Sequence, residues 1–273
     1  MTDDSGSPPA AETRRRALAS PDMSARLAAL EELAVAGALD ERDALAVVAC
    51  LGGGTKALQR RAADVLCAGD AARPSVLARL RVALASADVD ERWGAAYALG
   101  RLGVLEIELL PPLLEALAHR DGDRRWAAAA LLVECGKRHR PAIVPALLAA
   151  ARSEPAELRR MTLYVLRDLA PSDPRAAPVF LHALDDADAT VRLGALSGLA
   201  RLAPPPPNAC ARVLRLVSDD ADGGVRRAAL SALGRLGAGV AAAETAIAAA
   251  ERAPDPATRR AAAAARRQLA RPR

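Results

Sequence analysis

An arginine returns about every 33 residues along almost the whole chain, and this interval constrains the fold more than any other feature. The spacings between successive members are 34, 32, 33, 34, 33, 34 and 33 residues. A fixed interval of this length is typical of repeat proteins, in which each unit buries its apolar face against its neighbours. The eight arginines, called the motif arginines below, are Arg26, Arg60, Arg92, Arg125, Arg159, Arg192, Arg226 and Arg259.

An aspartate stands four positions before six of the motif arginines. At the start of an apolar-periodic run, Asp is a good helix N-cap, because its carboxylate accepts hydrogen bonds from free backbone N–H groups and complements the helix dipole. Lys56 and Pro155 occupy this position in the other two units. The six predicted caps are Asp22, Asp88, Asp121, Asp188, Asp222 and Asp255.

Positions three, four and seven after the motif arginine, such as Ala95, Ala96 and Leu99, trace one apolar stripe of a helix. We expect this stripe to be the buried face of the helix, called the motif helix below. The last unit departs from the pattern with Arg266, as expected of a terminal repeat against which no further unit packs. The residues at position seven in the other units are Leu33, Cys67, Leu99, Leu132, Leu166, Leu199 and Leu233.

A second apolar-periodic segment lies between successive motif helices, so each unit is predicted to be a helical hairpin. The sequence therefore predicts an all-α fold, an α-solenoid of about eight hairpins wound as a right-handed superhelix. We expect a single solenoid domain over residues 12–270, a disordered acidic tail over 1–11 and a basic C-terminal end over 271–273. The predicted repeats are 12–36, 40–69, 73–103, 105–136, 139–170, 174–202, 206–237 and 239–270.

The stretches Asp186–Leu202 and Asp219–Gly237 resemble HEAT repeats, and more narrowly the short bacterial type of the phycobilisome-lyase-like group. The resemblance covers about residues 12–270. It implies that the recurring Asp and Arg form a ladder between adjacent motif helices, with Lys56 departing from the pattern. The implied structural ladder comprises Asp22, Arg26, Asp88, Arg92, Asp121, Arg125, Asp188, Arg192, Asp222, Arg226, Asp255 and Arg259.

Composition limits the other classes of protein. Hydrophobic residues make up 52% of the chain but aromatic residues only 2%, so the interior must consist of Ala, Leu and Val. No run reaches the roughly 18 apolar residues of a membrane span, and the first 12 residues lack the apolar stretch of a secretory signal. Four scattered cysteines without a C-x-x-C pair indicate neither a zinc cluster nor a disulfide framework. We therefore expect a cytoplasmic protein that does not enter the membrane.

The net charge of +5 suggests nucleic-acid binding, but the distribution of charge disfavours it. Residues 251–273 hold seven arginines and two acids, which equals the whole excess, so residues 1–250 are balanced overall. We interpret this end as a capping repeat, with a basic docking tail as the alternative.

Positions one, five and eight after the motif arginine fall on another stripe, where the sequence stops repeating. Four of the five aromatic residues lie there in three adjacent units, together with two arginines. Aromatic and Arg side chains dominate binding hot spots, so we predict a partner site on the concave face; the alternative is that the aromatic rings fill gaps in the core. The predicted site residues are Trp93, Tyr97, Trp126, Arg160, Tyr164 and Arg167.

Catalytic signals are weak. His119, His139 and His182 lack the spacing of metal ligands, and residues 52–56 resemble a phosphate loop only superficially because the spacing is wrong and a helix precedes them. Cys67 falls in a core column, whereas Cys135 and Cys210 lie near helix ends. We predict no catalytic residues, no metal and no cofactor.

Three classes of function remain at this point. The first is a non-enzymatic scaffold or adaptor that binds a protein partner, with the oligomeric state left open between a monomer and an oligomer. The second, implied by the resemblance, is a lyase-like or chaperone-like helper for a pigment, a cofactor or a modified protein. The third is nucleic-acid binding, including HEAT-like DNA repair proteins, for which Trp93, Trp126 and Asp168 would be available.

Overall fold

The computed structural model of the protein describes residues 10–37, 39–52, 55–69 and 73–270. Within them every regular element is helical, as the repeat predicts, and the fold is an α-solenoid. The helices are α1 Ala10–Leu18, α2 Met23–Ala36, α3 Glu41–Ala49, α4 Lys56–Ala68, α5 Pro74–Ala83, α6 Val89–Arg101, α7 Leu110–Leu117 (after a 3-10 turn, Ile107–Leu109), α8 Gly122–Ala150, α9 Ala156–Leu169, α10 Ala176–Ala183, α11 Ala189–Leu199, α12 Ala209–Asp219, α13 Gly223–Leu236, α14 Ala241–Ala250 and α15 Pro256–Leu269.

Helix α8 contains two elements of the repeat. The backbone at His139 is non-helical, with φ −114° and ψ 31°, and divides the helix into a motif helix and the companion helix of the next hairpin. Pro141 and Pro145 follow the break. Proline lacks an N–H and clashes with the preceding turn, so it favours such an interruption. With α8 divided in this way, the described helices form eight hairpins, the number that the sequence predicts.

The helices divide into two compact units, residues 1–116 and 117–273, and the continuity of the stack over 12–270 stays a prediction. In the first unit the motif helices α2, α4 and α6 pack in succession, as do their companions α1, α3 and α5. In the second unit the motif helices α8, α9, α11, α13 and α15 pack in succession.

The six predicted aspartate caps all cap their own helices, which confirms their predicted role. Each accepts a hydrogen bond from a backbone N–H of the first helical turn, as Asp188 does from Thr190 at 2.7 Å. The other caps are Asp22, Asp88, Asp121, Asp222 and Asp255. In the two exceptional units Thr55 caps α4 through its hydroxyl, whereas Pro155 precedes α9 without a side-chain cap bond.

The motif arginine closes the turn that leads into its helix. In Arg192, Nη1 donates to the backbone carbonyls of Asp186 at 2.8 Å and Ala187 at 3.1 Å. The same pair of bonds, to the carbonyls six and five residues earlier, recurs in six units. The six arginines are Arg92, Arg125, Arg159, Arg192, Arg226 and Arg259.

The other edge of the guanidinium forms an ion pair with an acid of the next repeat, and each such pair is one rung of the ladder. For two rungs the predicted acid is wrong. Arg159 forms a two-pronged ion pair with Asp186, at 2.7 and 2.8 Å, rather than with the cap Asp188. Arg192 does the same with Asp220, at 2.8 Å for both bonds, rather than with Asp222. In these two repeats the rung acid therefore stands two residues before the cap, while the cap carboxylate accepts bonds from its own helix.

Two further rungs exist, one in the first compact unit and one near the start of the second compact unit. Arg92 pairs with Glu115, at 2.7 Å from Nη2 to Oε1. Arg125 lies 3.6 Å from Glu157, between Nε and Oε2. These acids do not occupy the position of Asp186 or Asp220 in the repeat, so the ladder uses different acids in different units.

The predicted core column at position seven is buried in every repeat except the second and the last. Position seven is 0–2% exposed in its leucine-bearing units, but Cys67 is only half-buried and the adjacent Leu66 fills the core instead. The close approach of α11 to its companion helix α10 also requires a glycine, because a Cβ at Gly198 would overlap the buried ring of Phe180.

The first helix begins earlier than predicted, and the last repeat agrees with the interpretation of a capping repeat. Helix α1 begins at Ala10, two residues inside the predicted disordered tail 1–11, and Ala10 and Ala11 are helical; the rest of that tail and residues 271–273 lie outside the described residues. At the other end Arg266 is exposed and forms a two-pronged ion pair with Glu251 of the preceding turn, at 2.7 and 2.8 Å. This exposure agrees with a capping repeat.

Removing one rung acid should destabilise the second unit. Asp220 is 3% and Arg192 14% exposed in their side chains, so Asp220→Ala leaves a mostly buried guanidinium without its carboxylate. We expect a loss of about 2 kcal/mol in the free energy of unfolding, between the costs of breaking a surface and a buried pair. Urea unfolding at neutral pH measures it. The adjacent exposed residue provides the control, Asp219→Ala, which should change stability by less than about 0.5 kcal/mol; equal losses would contradict the rung.

Acid should weaken the same rungs. Burial raises the pKa of Asp220, but the hydrogen bonds from Arg192 and from the Asp222 N–H outweigh burial and hold the pKa below its usual value of 3.8. The pKa of Asp186 is lowered in the same way, because the hydrogen bonds from Arg159 and from the Asp188 N–H outweigh its burial. A carboxyl with a lowered folded pKa contributes stability above its usual pKa and loses it as the pH falls through the folded value. The urea midpoint of the wild type should therefore fall more than that of Asp220→Asn between about pH 5 and pH 2. Parallel curves would exclude a titrating rung.

Candidate functional site

The predicted site residues lie on the motif helices in both compact units, and each unit is described by itself. In the first unit Trp93 and Tyr97 lie one turn apart on α6 and their rings stack, with centroids 5.4 Å apart and an interplanar angle of 26°. Arg101 lies 5.8 Å above the Tyr97 ring and its Nη1 donates to the Tyr97 hydroxyl at 3.1 Å. Trp93 is 5% exposed. The prediction that Trp93 is an accessible contact is therefore wrong. The alternative applies to this residue: its ring fills the core.

In the second unit the corresponding tryptophan is exposed. Trp126, in the first turns of α8, is 52% exposed. Its ring stacks on that of Tyr164 of α9, with centroids 5.3 Å apart and an interplanar angle of 29°. The two residues stand at different positions in their repeats, one and five after the motif arginine, so the stack crosses from one motif helix to the next.

Arg167 extends this arrangement to a third motif helix. Its guanidinium carbon lies 5.1 Å from the centroid of the Tyr164 ring, within the range of a cation–π interaction. Its Nη1 donates to the Ser197 hydroxyl of α11 at 3.0 Å. We call the patch formed by Trp126, Tyr164, Arg167 and Ser197 the Trp126 surface.

Asp168 fixes the other edge of Arg167 and is itself fixed as an anion. The two side chains form a two-pronged ion pair at 2.7 and 2.9 Å. The hydrogen bonds that Arg167 donates to Asp168 hold the pKa of Asp168 below its usual range and raise the pKa of Arg167. A carboxylate with a lowered pKa is a weaker base, and the pair orients the arginine.

Arg160, also predicted as a site residue, is turned toward the ladder. It pairs with Glu157 one turn earlier on α9, and Arg125 approaches the same carboxylate. Its side chain is 20% exposed. The structure therefore brings Trp126, Tyr164 and Arg167 together, adds Ser197 and Asp168 to them, and places Arg160 beside the rung acid.

The histidines and cysteines show no catalytic arrangement among the described residues. His119 Nδ1 accepts a hydrogen bond from the Asp121 N–H at 3.1 Å and so supports a helix start. Burial raises the pKa of the thiols of Cys50, Cys67 and Cys210, which opposes nucleophilic reactivity. Cys135, expected near a helix end, is buried. Within the described ranges no group of three or more His, Cys, Asp or Glu side chains could hold a metal ion.

A charged cleft of about 360 Å³ lies between the α10–α11 turn and α12. Two of the arginines that line it already have carboxylate partners, since Arg192 pairs with Asp220 and Arg212 with Asp185. The charges of these two arginines are therefore already paired within the protein.

No helix in the part of the chain that the structure describes is long and apolar enough to cross a membrane.

The fold is similar to that of several solved structures at low sequence identity. The karyopherin Kap121p, bound to the extreme C-terminus of the protein phosphatase Cdc14p, matches 94% of this chain with 13% identity and a TM-score of 0.62. Importin beta matches 94% with 14% identity and a TM-score of 0.61. This chain spans only 33% and 41% of those two chains. The Escherichia coli protein YibA matches 93% of this chain over 99% of its own length, with 14% identity and a TM-score of 0.54.

No curated protein sequence matches the chain. The family comparison, in contrast, gives a clear result. HEAT repeats match over residues 110–200 and again over residues 177–267, which together make up more than half of the chain. The protein therefore belongs to the HEAT-repeat family.

Proposed function

We propose that this protein is a non-enzymatic interaction scaffold that binds a protein partner through the Trp126 surface, on what we take to be the concave face. The observation that carries the proposal is the exposed Trp126 ring stacked on Tyr164 beneath an oriented arginine. Trp, Tyr and Arg are the residues most enriched in binding hot spots. An exposed tryptophan in a protein with so few aromatic residues favours a surface that a partner covers.

The side chains of the Trp126 surface also contact one another in the unbound protein. Tyr164 contacts both Trp126 and Arg167, and Arg167 is held by Ser197 and Asp168. Side chains that are already ordered lose little conformational entropy on binding, so more of the contact energy contributes to affinity. An aromatic patch whose side chains are held by these contacts is therefore well suited to binding a protein.

The similarity to karyopherins supports this class of function without identifying the partner. Kap121p is a HEAT-like neighbour that binds the end of another protein. The proposal also covers a cytoplasmic location and the absence of catalysis. The narrower phycobilisome-lyase-like resemblance stays a prediction; a pigment or other absorbing ligand that co-purifies with the protein would favour it.

A photo-crosslinking residue at Trp126 should capture the partner. We expect p-benzoylphenylalanine at position 126 to give a discrete crosslinked product in an extract of the source cells, because the ring would lie at the centre of the interface. The same residue at Ala211, exposed on the companion helix α12, is the matched control and should not give that product. Identical products at both positions, or none at position 126, would contradict the proposed surface.

Affinity for the captured partner should then depend on the exposed ring and not on the buried one. Trp126→Ala removes a hot-spot side chain and should weaken binding by about 30-fold or more, which corresponds to about 2 kcal/mol. The melting temperature should stay nearly unchanged because the ring is half in solvent. Trp93→Phe, a conservative change in the core, should leave the affinity within about 2-fold, which is within the usual spread for a residue outside an interface.

A further inference from the structure

The compact unit that carries the Trp126 surface has an excess of positive charge. Residues 117–273 hold 25 Lys and Arg against 16 Asp and Glu, whereas residues 1–116 hold more acidic than basic residues. An excess of one sign attracts a partner of the opposite sign and raises the rate of its association. The charge of the second unit therefore favours an acidic partner.

Three arginines beside the aromatic stack already have carboxylate partners within the protein. Arg125 and Arg160 share Glu157, and Arg167 pairs with Asp168. A guanidinium that is already paired gains less from a further carboxylate, because the first carboxylate offsets its charge. The contact for an acid of the partner is therefore to be sought at an arginine without such a pair.

Arg201 is an arginine of this kind. Its side chain is exposed, and within the described part of the chain no hydrogen bond or ion pair holds its guanidinium. It stands two residues past the end of α11, where its N–H still bonds to the Gly198 carbonyl at 2.9 Å. The chain therefore continues the helical turn, and Arg201 lies on the same side of it as Ser197, four residues earlier.

Two observations place Arg201 beside the Trp126 surface. Arg167 of this surface donates to Ser197, one turn before Arg201. Hydrogen bonds from Arg167 are the main cause of the lowered pKa of Asp168, and the positive charge of Arg201 contributes to the same lowering. Since a Coulomb interaction weakens with distance, Arg201 lies near that carboxylate. An exposed guanidinium therefore borders the Trp126 surface on the α11 side.

We propose that the partner docks through a short acidic polypeptide segment, which places an apolar side chain on Trp126 and Tyr164 and a carboxylate on Arg201. This inference rests on the proposed function, since the segment belongs to the partner held at the Trp126 surface. Helix α8 packs on α9 and α9 on α11, so two helix spacings, about 16–20 Å between axes, separate the two contacts. An extended segment covers that distance with about five or six residues.

The local charges favour a polypeptide over a nucleic acid. Each strand of duplex DNA carries a phosphate about every 3.4 Å, so a backbone that runs from Trp126 to Arg201 brings several negative charges to the surface. Asp168 lies near one end of this route and Asp123, one turn before Trp126 on α8, lies near the other. Both carboxylates repel phosphates, whereas a peptide can carry its acid at Arg201 and neutral residues elsewhere.

The test compares two fluorescein-labelled peptides that differ only in charge. The glutamate peptide has Trp at its first position, Gly and Ser at the next three and Glu at the last three; the glutamine peptide has Gln in place of Glu. Both carry an amidated C-terminus. We expect the glutamate peptide to bind the intact protein at least ~5-fold more tightly in fluorescence anisotropy at low salt, the scale of one exposed ion pair. The difference should shrink as salt rises, because ions screen the pair.

Charge reversal locates the acidic contact. Arg201→Glu should weaken the glutamate peptide by ~10-fold or more but the glutamine peptide by less than ~2-fold, because it replaces attraction with repulsion only where the peptide is charged. The matched control is Arg252→Glu: Arg252 is also exposed and stands two residues past the end of its helix, α14, in the last repeat. It changes the charge of the second unit equally and should alter the affinity of the glutamate peptide by less than ~2-fold. Unfolding curves establish that both variants remain folded.

Several outcomes would overturn the proposal. Equal affinity of the two peptides, no binding of either, or equal effects of the two charge reversals would reject the contact at Arg201. A DNA duplex that binds more tightly than the glutamate peptide, and that is weakened by Arg201→Glu, would replace the acidic polypeptide with a nucleic acid. Crosslinking at position 126 that gives the same product with and without Arg201→Glu would leave the scaffold intact and reject only the acidic segment.

Discussion

The rest of the structure depends on the hydrogen bonds that the motif arginine makes with the carbonyls at the end of the preceding turn. A turn between two helices leaves backbone carbonyls without intrahelical partners, and a guanidinium has five N–H donors in a fixed plane. In Arg192 one nitrogen satisfies Asp186 and Ala187 of its own repeat, while the opposite edge pairs with Asp220 of the next. One side chain thus sets both the hairpin and its stacking. Lysine, with a single ammonium, could not do both.

This division of roles explains how much of the fold could be predicted from the sequence. The interval of the arginines, the aspartate caps and the leucine columns are local, since each depends on residues within one hairpin. The rung acid depends on the spacing between two hairpins and was predicted wrongly: Asp186 and Asp188 both lie near the start of α11, and only the geometry separates the rung from the cap. The D-A-D pattern at 186–188 and again at 220–222 was the available signal.

The candidate site was predicted less well for a different reason. Helical periodicity places a residue on a face but does not say how much of that face the neighbouring helix covers. Trp93 and Trp126 occupy the same position after their motif arginines, yet one is buried and the other is half in solvent. Tyr164 and Arg167 came from the same stripe as Trp126, whereas Ser197 and Asp168 enter the site only through their bonds to Arg167.

The same logic links the fold to its proposed role. In an array built on one interval, residues that serve the core and the ladder must repeat, and those facing outward are released from that demand. Position five carries Tyr164 and Ser197 in successive helices, so this face changes from an aromatic patch to small polar groups.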